Sequence, residues 1–461
     1  MRFALTPDQV AFRDAARELL AKECAPSVVR AAWDAPAGQL DRGVWDSLDA
    51  MGVLALLVPE SDGGLGLDET YLVPILEECG RAALPHPVVE TAMVAAPLLG
   101  AGAGMVSTDL GGPLIPCAAD SDVLLLRAGG GALVAVPPAS VSLTPVAVTD
   151  RARRTATATA TADATATATR TNTEPATDSR RSDDEMSQVR SVTAATRTNT
   201  EPATDSRRSD DDVSQVRSVA GTNSEPATDS RRSDDEMSQV RSVPFTRTNT
   251  EPATDSRRSD DDVSQVRSGS TATTTNSEPA TDSRRSDDEM SQVRSVAGSA
   301  ALVTDDAGAI ERALDRGALG TAALLVGLGQ AMLDLTVGYV TERHQFGKPV
   351  GSFQAVKHHL ADAALALELA RPAVHRAAWS LAHDAATAPR DVSMAKAMAS
   401  DAAELAGRKA LQCHGAIGYT VEADLHLYLK RTWALARSWG DSAHHTDRVA
   451  TAIGAHSVQS C

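Results

Sequence analysis

Residues 341–363, TERHQFGKPVGSFQAVKHHLADA, gather the side chains best placed to do chemistry. A long helix should end there in a polar cluster with Arg343 and His344. Gly347, Pro349 and Gly351 break it, and Ser352 is placed to cap the next helix. An arginine beside the free backbone N–H groups of such a junction can hold phosphate oxygens. The same pattern also suits a helix corner with a solvated arginine. A second block, LQCHGAIGYTVEADLHLYLKR at 411–431, sets a glycine turn between helices, which alone is a common cap. Asp441 stands just before a helix starting at Ser442, the preferred position for an N-cap aspartate. The pairs His358-His359 and His444-His445 invite a metal reading. Adjacent helical residues point in different directions, so neither pair makes a chelating face. No metal site is expected, and both pairs are read as surface or subunit-contact residues.

The elements that must position these groups read as mainly helical, with a reduced β middle. Thr6-Pro7-Asp8 opens the first helix, with Thr6 as cap and Pro7 at the first helical position. Phe12, Ala15, Ala16, Leu19 and Leu20 then share one face, and a second helix carries Trp45, Leu48 and Met51. Pro59, Gly63, Gly64 and Gly66 impose an irregular turn before helices near 69–82 and 88–99. Four domains and a tail follow from these patterns: an N-terminal helical domain over 1–112, a truncated β-domain over 113–155, a low-complexity insert over 156–299, and a C-terminal antiparallel helix bundle over 300–455, with 456–461 as tail. The β-domain is read from the short apolar runs DVLLLRA, ALVAVPP and VSLTPVAV, and ALVTD after the insert returns as one more strand. The bundle helices are expected near 309–343, 352–386, 391–413, 421–437 and 442–453.

The insert differs in kind from its flanks. Residues 156–299 hold one aromatic, Phe245, and no leucine. Near-identical cores such as EPATDSRRSDDEMSQVRS begin at Glu174, Glu201, Glu225, Glu251 and Glu278, at irregular spacings of 27, 24, 26 and 27 residues. A stacked solenoid needs an apolar ridge at a fixed period, and this tandem repeat has neither. Its composition cannot bury enough surface to offset the entropy of ordering it, so disorder is expected. The copies read either as expansion in a tolerant loop or as multivalent partner and phosphorylation sites at Ser179, Ser182 and their equivalents.

Charge and cysteine usage exclude several classes. The net charge is −17, and each repeat core contributes −2 of it. A mildly acidic remainder argues against nucleic acid, whose phosphates need a basic face. The five cysteines, Cys24, Cys79, Cys117, Cys413 and Cys461, are scattered and lack C-x-x-C spacing. They read as free thiols of a cytoplasmic protein rather than a disulfide framework. The run Gly317 to Leu333 is uncharged but short of the ~20 residues of a membrane span, and suits a buried bundle helix.

The two polar blocks together resemble the acyl-CoA dehydrogenase family. Its signature is an ER-x-x-FGKP corner preceding FQ and LAD, then a Q-x-x-GG-x-G-[FY]-x-x-E segment. Trp45, Gly52 and the PESDGGLG turn are similar to the family's opening helices, so the resemblance covers about 1–154 and 300–455, some two-thirds of the chain. It implies FAD as cofactor, with Arg343, Phe346 and Gln354 in the part that contacts the flavin of a neighbouring subunit. It further implies Gln412, Gly415 and Gly418, followed by Tyr419, in the glycine turn that the adenine and pyrophosphate side approaches, with Ala416 replacing one glycine. The implied reaction is α,β-dehydrogenation of an acyl-CoA thioester, with electrons passed on to an acceptor flavoprotein.

The departures bear on mechanism. The family's TEP-x-AGSD and W-[IV]-TNG runs, which sit on the flavin ring and thioester, are missing; the TEPATDS strings of the repeats lack the AGSD glycine. The family's base glutamate lies nine residues after the arginine matching Arg431 or 26 before that matching Arg343. This chain has Gly440 and Gly317 there. Asp441, one residue beyond the first position, is the candidate substitute, against its reading as a helix cap. Three functions compete: a base-lacking partner subunit of a heteromeric acyl-CoA dehydrogenase, a self-sufficient homo-oligomer (dimer or tetramer) using Asp441, and a non-enzymatic scaffold displaying the repeats. Deleting residues 157–298 is expected to leave thermal melting and oligomeric state unchanged; a large fall in the melting temperature would reveal a folded domain in the insert.

Overall fold

The computed structural model describes residues 4–160 and 300–455, all within one unit. The expected repeats and the 456–461 tail lie outside the described residues. The N-terminal helices are α1 (Pro7–Glu23), α2 (Pro26–Asp34), α3 (Gly43–Ala50) and α4 (Glu69–Arg81). Thr6 and Gln9 form a reciprocal capping box at α1, and Asp68 caps α4 by accepting from Thr70 N–H. A π-helical turn, Val89–Ala95, runs into α5 (Ala96–Leu99), so the single helix expected near 88–99 is locally underwound. Helix α2 was not expected; Pro26 at its first position is the signal that marks it.

Strands β1 (Val106–Thr108), β2 (Val123–Arg127), β3 (Leu133–Val136) and β6 (Ala301–Thr304) form one sheet in the order β1-β2-β3-β6. Strand β1 is parallel to β2 and the other pairs are antiparallel. Strands β4 (Val141–Pro145) and β5 (Ala156–Ala160) make a separate antiparallel pair. Two boundaries therefore need correction. The β part begins at Val106, inside the range expected to be helical, and it extends through Ala160, inside the range expected as insert. Alternation hides in ATATA because alanine and threonine differ little in polarity, yet it pairs residue by residue with VSLTP. A deletion that spares the described fold starts at residue 161.

The C-terminal bundle comprises α6 (Ala307–Glu342), α7 (Gln354–Ala382), α8 (Ala388–His414), α9 (Leu425–Arg437) and α10 (Ser442–Ala452). Between α6 and α7 lie the two-residue strands β7 (His344–Gln345) and β8 (Lys348–Pro349). Helix α6 is long and apolar enough to cross a membrane by composition alone, but 78% of its most apolar window is buried inside the protein. Glycines explain how closely it is packed. A Cβ on Gly327 would lie 1.9 Å from the Glu77 carbonyl oxygen, and one on Gly80 2.2 Å from that of Leu324. Helices α4 and α6 thus cross backbone to backbone, which joins the two helical parts in one core.

Buried charges also tie the layers together. Arg154, itself left-handed at φ 50°, pairs with Asp120 at 2.8 Å and donates to the Ala35 carbonyl, fixing the β part to α2. Lys396 on α8 is fully buried and donates only to the Ser400 hydroxyl and the carbonyls of Ala436 and Gly440, at 2.9–3.1 Å. Burial pulls its ammonium down to about 7 from an ordinary 10.5. Because the folded value is the lower one, the unfolded chain binds the extra proton between pH 7 and 10, and stability should rise with pH across that window. Chemical denaturation at pH 7 and 9 should show wild type gaining up to about 1.4 kcal/mol per pH unit relative to Lys396→Met; parallel pH profiles would contradict the assignment.

Candidate functional site

Helix α6 ends at Arg343, whose backbone N–H still donates to Tyr339 at 2.9 Å while its side chain is exposed. The chain then reverses through Phe346 (φ 54°) and Gly347 (φ 78°), the left-handed pair that a two-residue hairpin turn demands. Phenylalanine rarely adopts that conformation, and here it stands 91% exposed, edge-on to Phe353 at 6.2 Å. Gln354 begins α7, exposed, with its amide 3.1 Å from His358. Ser352 does not cap α7 as expected. Its hydroxyl donates to the Pro349 carbonyl at 2.7 Å, and Phe353 takes the cap position without a side-chain bond. The tight hairpin draws Ser352 back toward β8, away from the helix it was expected to cap.

The second block meets the first through Tyr339. Its ring stacks on His414 at 4.4 Å and 13°, and its hydroxyl donates to the His414 carbonyl. Arg343 lies one turn beyond Tyr339 and Gly415 directly follows His414, so the two blocks converge at one end of the bundle. Gly415 (φ 66°, ψ −140°) caps α8, exposed, with open space where a Cβ would be. A ligand could approach its backbone closely. Gln412 and Tyr419 are exposed beside it. Gly418 has another job: it is buried, and a Cβ there would lie 2.9 Å from that of His414. This corner combines a free cation, exposed amides, an aromatic edge and accessible backbone, which fits a dinucleotide cofactor's phosphates and adenine.

The two positions where resemblance places a base are both filled, by different side chains. Trp439, between α9 and α10, is 6% exposed. A Cβ on Gly317 would lie 2.3 Å from its ring, and one on Gly111 2.7 Å. One on Gly440 would meet His444 and His445 at 2.6 and 2.8 Å. Trp439 is left-handed (φ 60°), and its backbone is locked: its N–H donates to Gly111 and its carbonyl bonds His445 Nε2 at 2.8 Å. His445 is therefore buried, not at the surface as expected, with burial holding it neutral at about 4. The indole also lies near the Glu90 side chain. Asp441 is exposed and caps α10 by accepting from His444 N–H at 2.8 Å. That bond holds its carboxyl below the usual range, the opposite of what a base near neutrality requires.

Sequence reasoning missed a buried polar cluster behind Trp439. Glu90, on the π-helical turn, faces the charges of Arg153 and Arg431, and Arg431 pairs with Asp150 at 3.3 Å. Burial raises the carboxyls of Glu90 and Asp150 and lowers the Arg153 guanidinium. His86 is held neutral, at about 4, by the same cause. Among the described residues its Nδ1 and the Thr321 hydroxyl have no hydrogen-bond partner, and both residues line a cavity of about 10 Å³ beside this cluster. The signal was present: Glu90 is the one acidic residue in the apolar stretch 82–108. A larger cleft of about 500 Å³ opens between Gly111–Leu114, residues 147–155 and one face of α9. Among the described residues no cluster of His, Cys, Asp and Glu could hold a metal ion.

Comparison with known proteins shows the family. The profile of the acyl-CoA dehydrogenase N-terminal domain matches residues 6–104 and that of the C-terminal domain 307–454, together over half of the chain. Acyl-CoA dehydrogenase IpdE2 of Mycolicibacterium smegmatis is 40% identical over 131 residues, 27% of this chain and 40% of that protein. The chain thus spans under half the length of the curated relatives it matches. Among solved structures, the ChsE4-ChsE5 complex from Mycobacterium tuberculosis superposes with a TM-score of 0.61 at 16% identity, covering 99% of this chain and all of that one. PigA, solved with FAD and proline, gives 0.59 at 12% identity, covering 99% of this chain and all of that one. At such identities these two establish the fold only: helices flanking a small β part. With both terminal domains matched in order, the chain belongs to the acyl-CoA dehydrogenase family, whose cofactor is FAD.

Proposed function

We propose that this chain is the base-lacking partner subunit of a heteromeric acyl-CoA dehydrogenase. In that assembly it lends its exposed corner to FAD held mainly by a second, better-equipped subunit. The observation that carries the reading is that both base positions are filled: the Trp439 indole occupies the space beside Gly317, and the imidazoles of His444 and His445 occupy that beside Gly440. When bound, FAD supplies the hydride acceptor for α,β-dehydrogenation of an acyl-CoA thioester. Arg343 would neutralise phosphate charge. Phe346 and Gln354 would cover and orient the dinucleotide, and Gln412 and Gly415 would offer an amide and close backbone to it. Gly418 keeps the turn compact beneath them. The partner supplies the carboxylate that takes the α-proton, and an acceptor flavoprotein takes the electrons. We place the complex in the cytoplasm, in keeping with the free, buried thiols of Cys24, Cys79 and Cys117.

Visible absorption tests this directly. The protein purified alone should show no flavin band, and a band should appear when the genomically neighbouring acyl-CoA dehydrogenase chain co-purifies. A band in the lone protein that an acyl-CoA bleaches, and that Asp441→Asn leaves unbleached, would instead establish a self-sufficient homo-oligomer. In the complex, Arg343→Ala should weaken flavin retention by about tenfold or more while changing stability by under ~0.5 kcal/mol, as expected for an exposed charged contact. Unchanged flavin occupancy would remove the corner from the site.

The filled volume has its own test. Gly317→Ala should destabilise by about 1–3 kcal/mol, because overpacking against a locked ring outweighs the helix propensity gained. Trp439→Ala should cost about 3–5 kcal/mol. In the double variant the two costs should fall short of additive by about 1 kcal/mol or more; full additivity would show that the residues do not compete for one volume.

A further inference from the structure

We propose that the cleft beside α9 is a binding site for a free amphipathic carboxylate, a short aliphatic acid with its tail on Trp433 and Leu114 and its head between Arg437 and Arg153. The cleft lies outside the FAD corner, and Trp439 does not line it. Its volume of about 500 Å³ falls in the ordinary range for small-molecule sites, which are mostly apolar walls with a few convergent polar groups. The lining has that make-up. Leu114, Val148, Ala434 and the half-exposed Trp433 supply apolar surface, and two arginines supply charge.

Among the described residues no aspartate or glutamate lines the cleft, although the chain carries a net charge of −17. The local sign therefore opposes that of the protein as a whole and selects an anion. The two arginines are placed by independent contacts. Arg437 stands at the rim with its side chain 70% exposed, anchored by one guanidinium N–H to the Trp433 carbonyl at 3.0 Å. Its nearest carboxylate, on Glu404, is 3.8 Å away, beyond a good hydrogen bond. Arg153 is partly buried in the lining, and its Nη1 donates to the Ser438 hydroxyl at 2.8 Å. Glu90 and Asp150 do not fully offset its burial, since its guanidinium remains below the ordinary value. An added anion would complete that compensation. Two guanidiniums set against an aromatic wall recognise a carboxylate attached to a hydrocarbon, not a neutral lipid and not a bare inorganic ion.

Calorimetry on the purified full chain, without flavin or partner, separates this from the oxidation site. The probes are hexanoate, hexan-1-ol and hexanoyl-CoA. Hexanoate should bind saturably at one site per chain, with hexan-1-ol weaker by about tenfold or more because it lacks the charge. Arg437→Ala and Arg437→Gln, at an exposed position that the fold does not need, should each weaken hexanoate by a similar factor. Trp433→Ala should weaken hexanoate and hexan-1-ol alike, and hexanoyl-CoA should not displace hexanoate. Equal binding of the alcohol, no saturable binding, or indifference to both Arg437 substitutions would overturn the proposal. Displacement by hexanoyl-CoA at lower concentration would also overturn it, marking the cleft as a thioester subsite. None of these outcomes depends on whether the lone chain retains FAD.

Discussion

The indole of Trp439 packed against Gly111 and Gly317 is the contact on which the rest of this structure turns. A tryptophan in left-handed backbone costs of order 1 kcal/mol or more. It persists here because the surroundings over-determine it: Gly111 accepts from its N–H and His445 bonds its carbonyl. Lys396 adds a further restraint one residue on, at the Gly440 carbonyl. Groups from three parts of the chain thus fix this stretch of backbone, and Gly111 and Gly317 are what allow the ring to lie so deep. A glutamate at position 317 and this tryptophan cannot share the space, and at position 440 the imidazoles of His444 and His445 stand in the way.

That single packing choice separates the chain's two ends. The FAD corner needs none of it: Arg343, Phe346, Gln354, Gln412 and Gly415 are built on helix ends and on a hairpin, all facing outward. An exposed phenylalanine in strained backbone and a positively charged corner are costly to leave bare, and the natural relief is a neighbour that covers them. Beside Gly317 the space is filled by ring packing, with a buried cluster of Glu90, Arg153, Asp150 and Arg431 behind it. An exposed corner beside filled base positions is the arrangement that the proposed partner subunit requires.

Much of this was legible in the residues, for identifiable reasons. The helices follow from apolar periodicity and from caps with chemical signatures, such as Thr6 with Gln9 and Asp441 before Ser442. The corner was legible because its motif is spelled in turn-formers and charges, which have few alternatives. Strand β5 was not, because ATATA carries no polarity contrast at its margin with a threonine-rich insert. Ser352 was misassigned because a hairpin competes with a helix for its hydroxyl. The buried roles of His445 and Lys396 were hidden for a deeper reason: a polar residue on a helix reads as exposed until tertiary packing closes over it. Trp439 could not be read as a plug at all, since that depends on Gly111 and Gly317, remote in sequence and adjacent only in the fold.

The most direct measurement is the flavin content of the purified heteromer, counted against each chain by absorbance and quantitative amino-acid analysis. With the acyl side closed by Trp439 and the corner lent to a neighbour, the account predicts one FAD for each pair of unlike chains. One FAD for every chain would contradict it, because this subunit would then hold a complete flavin site of its own.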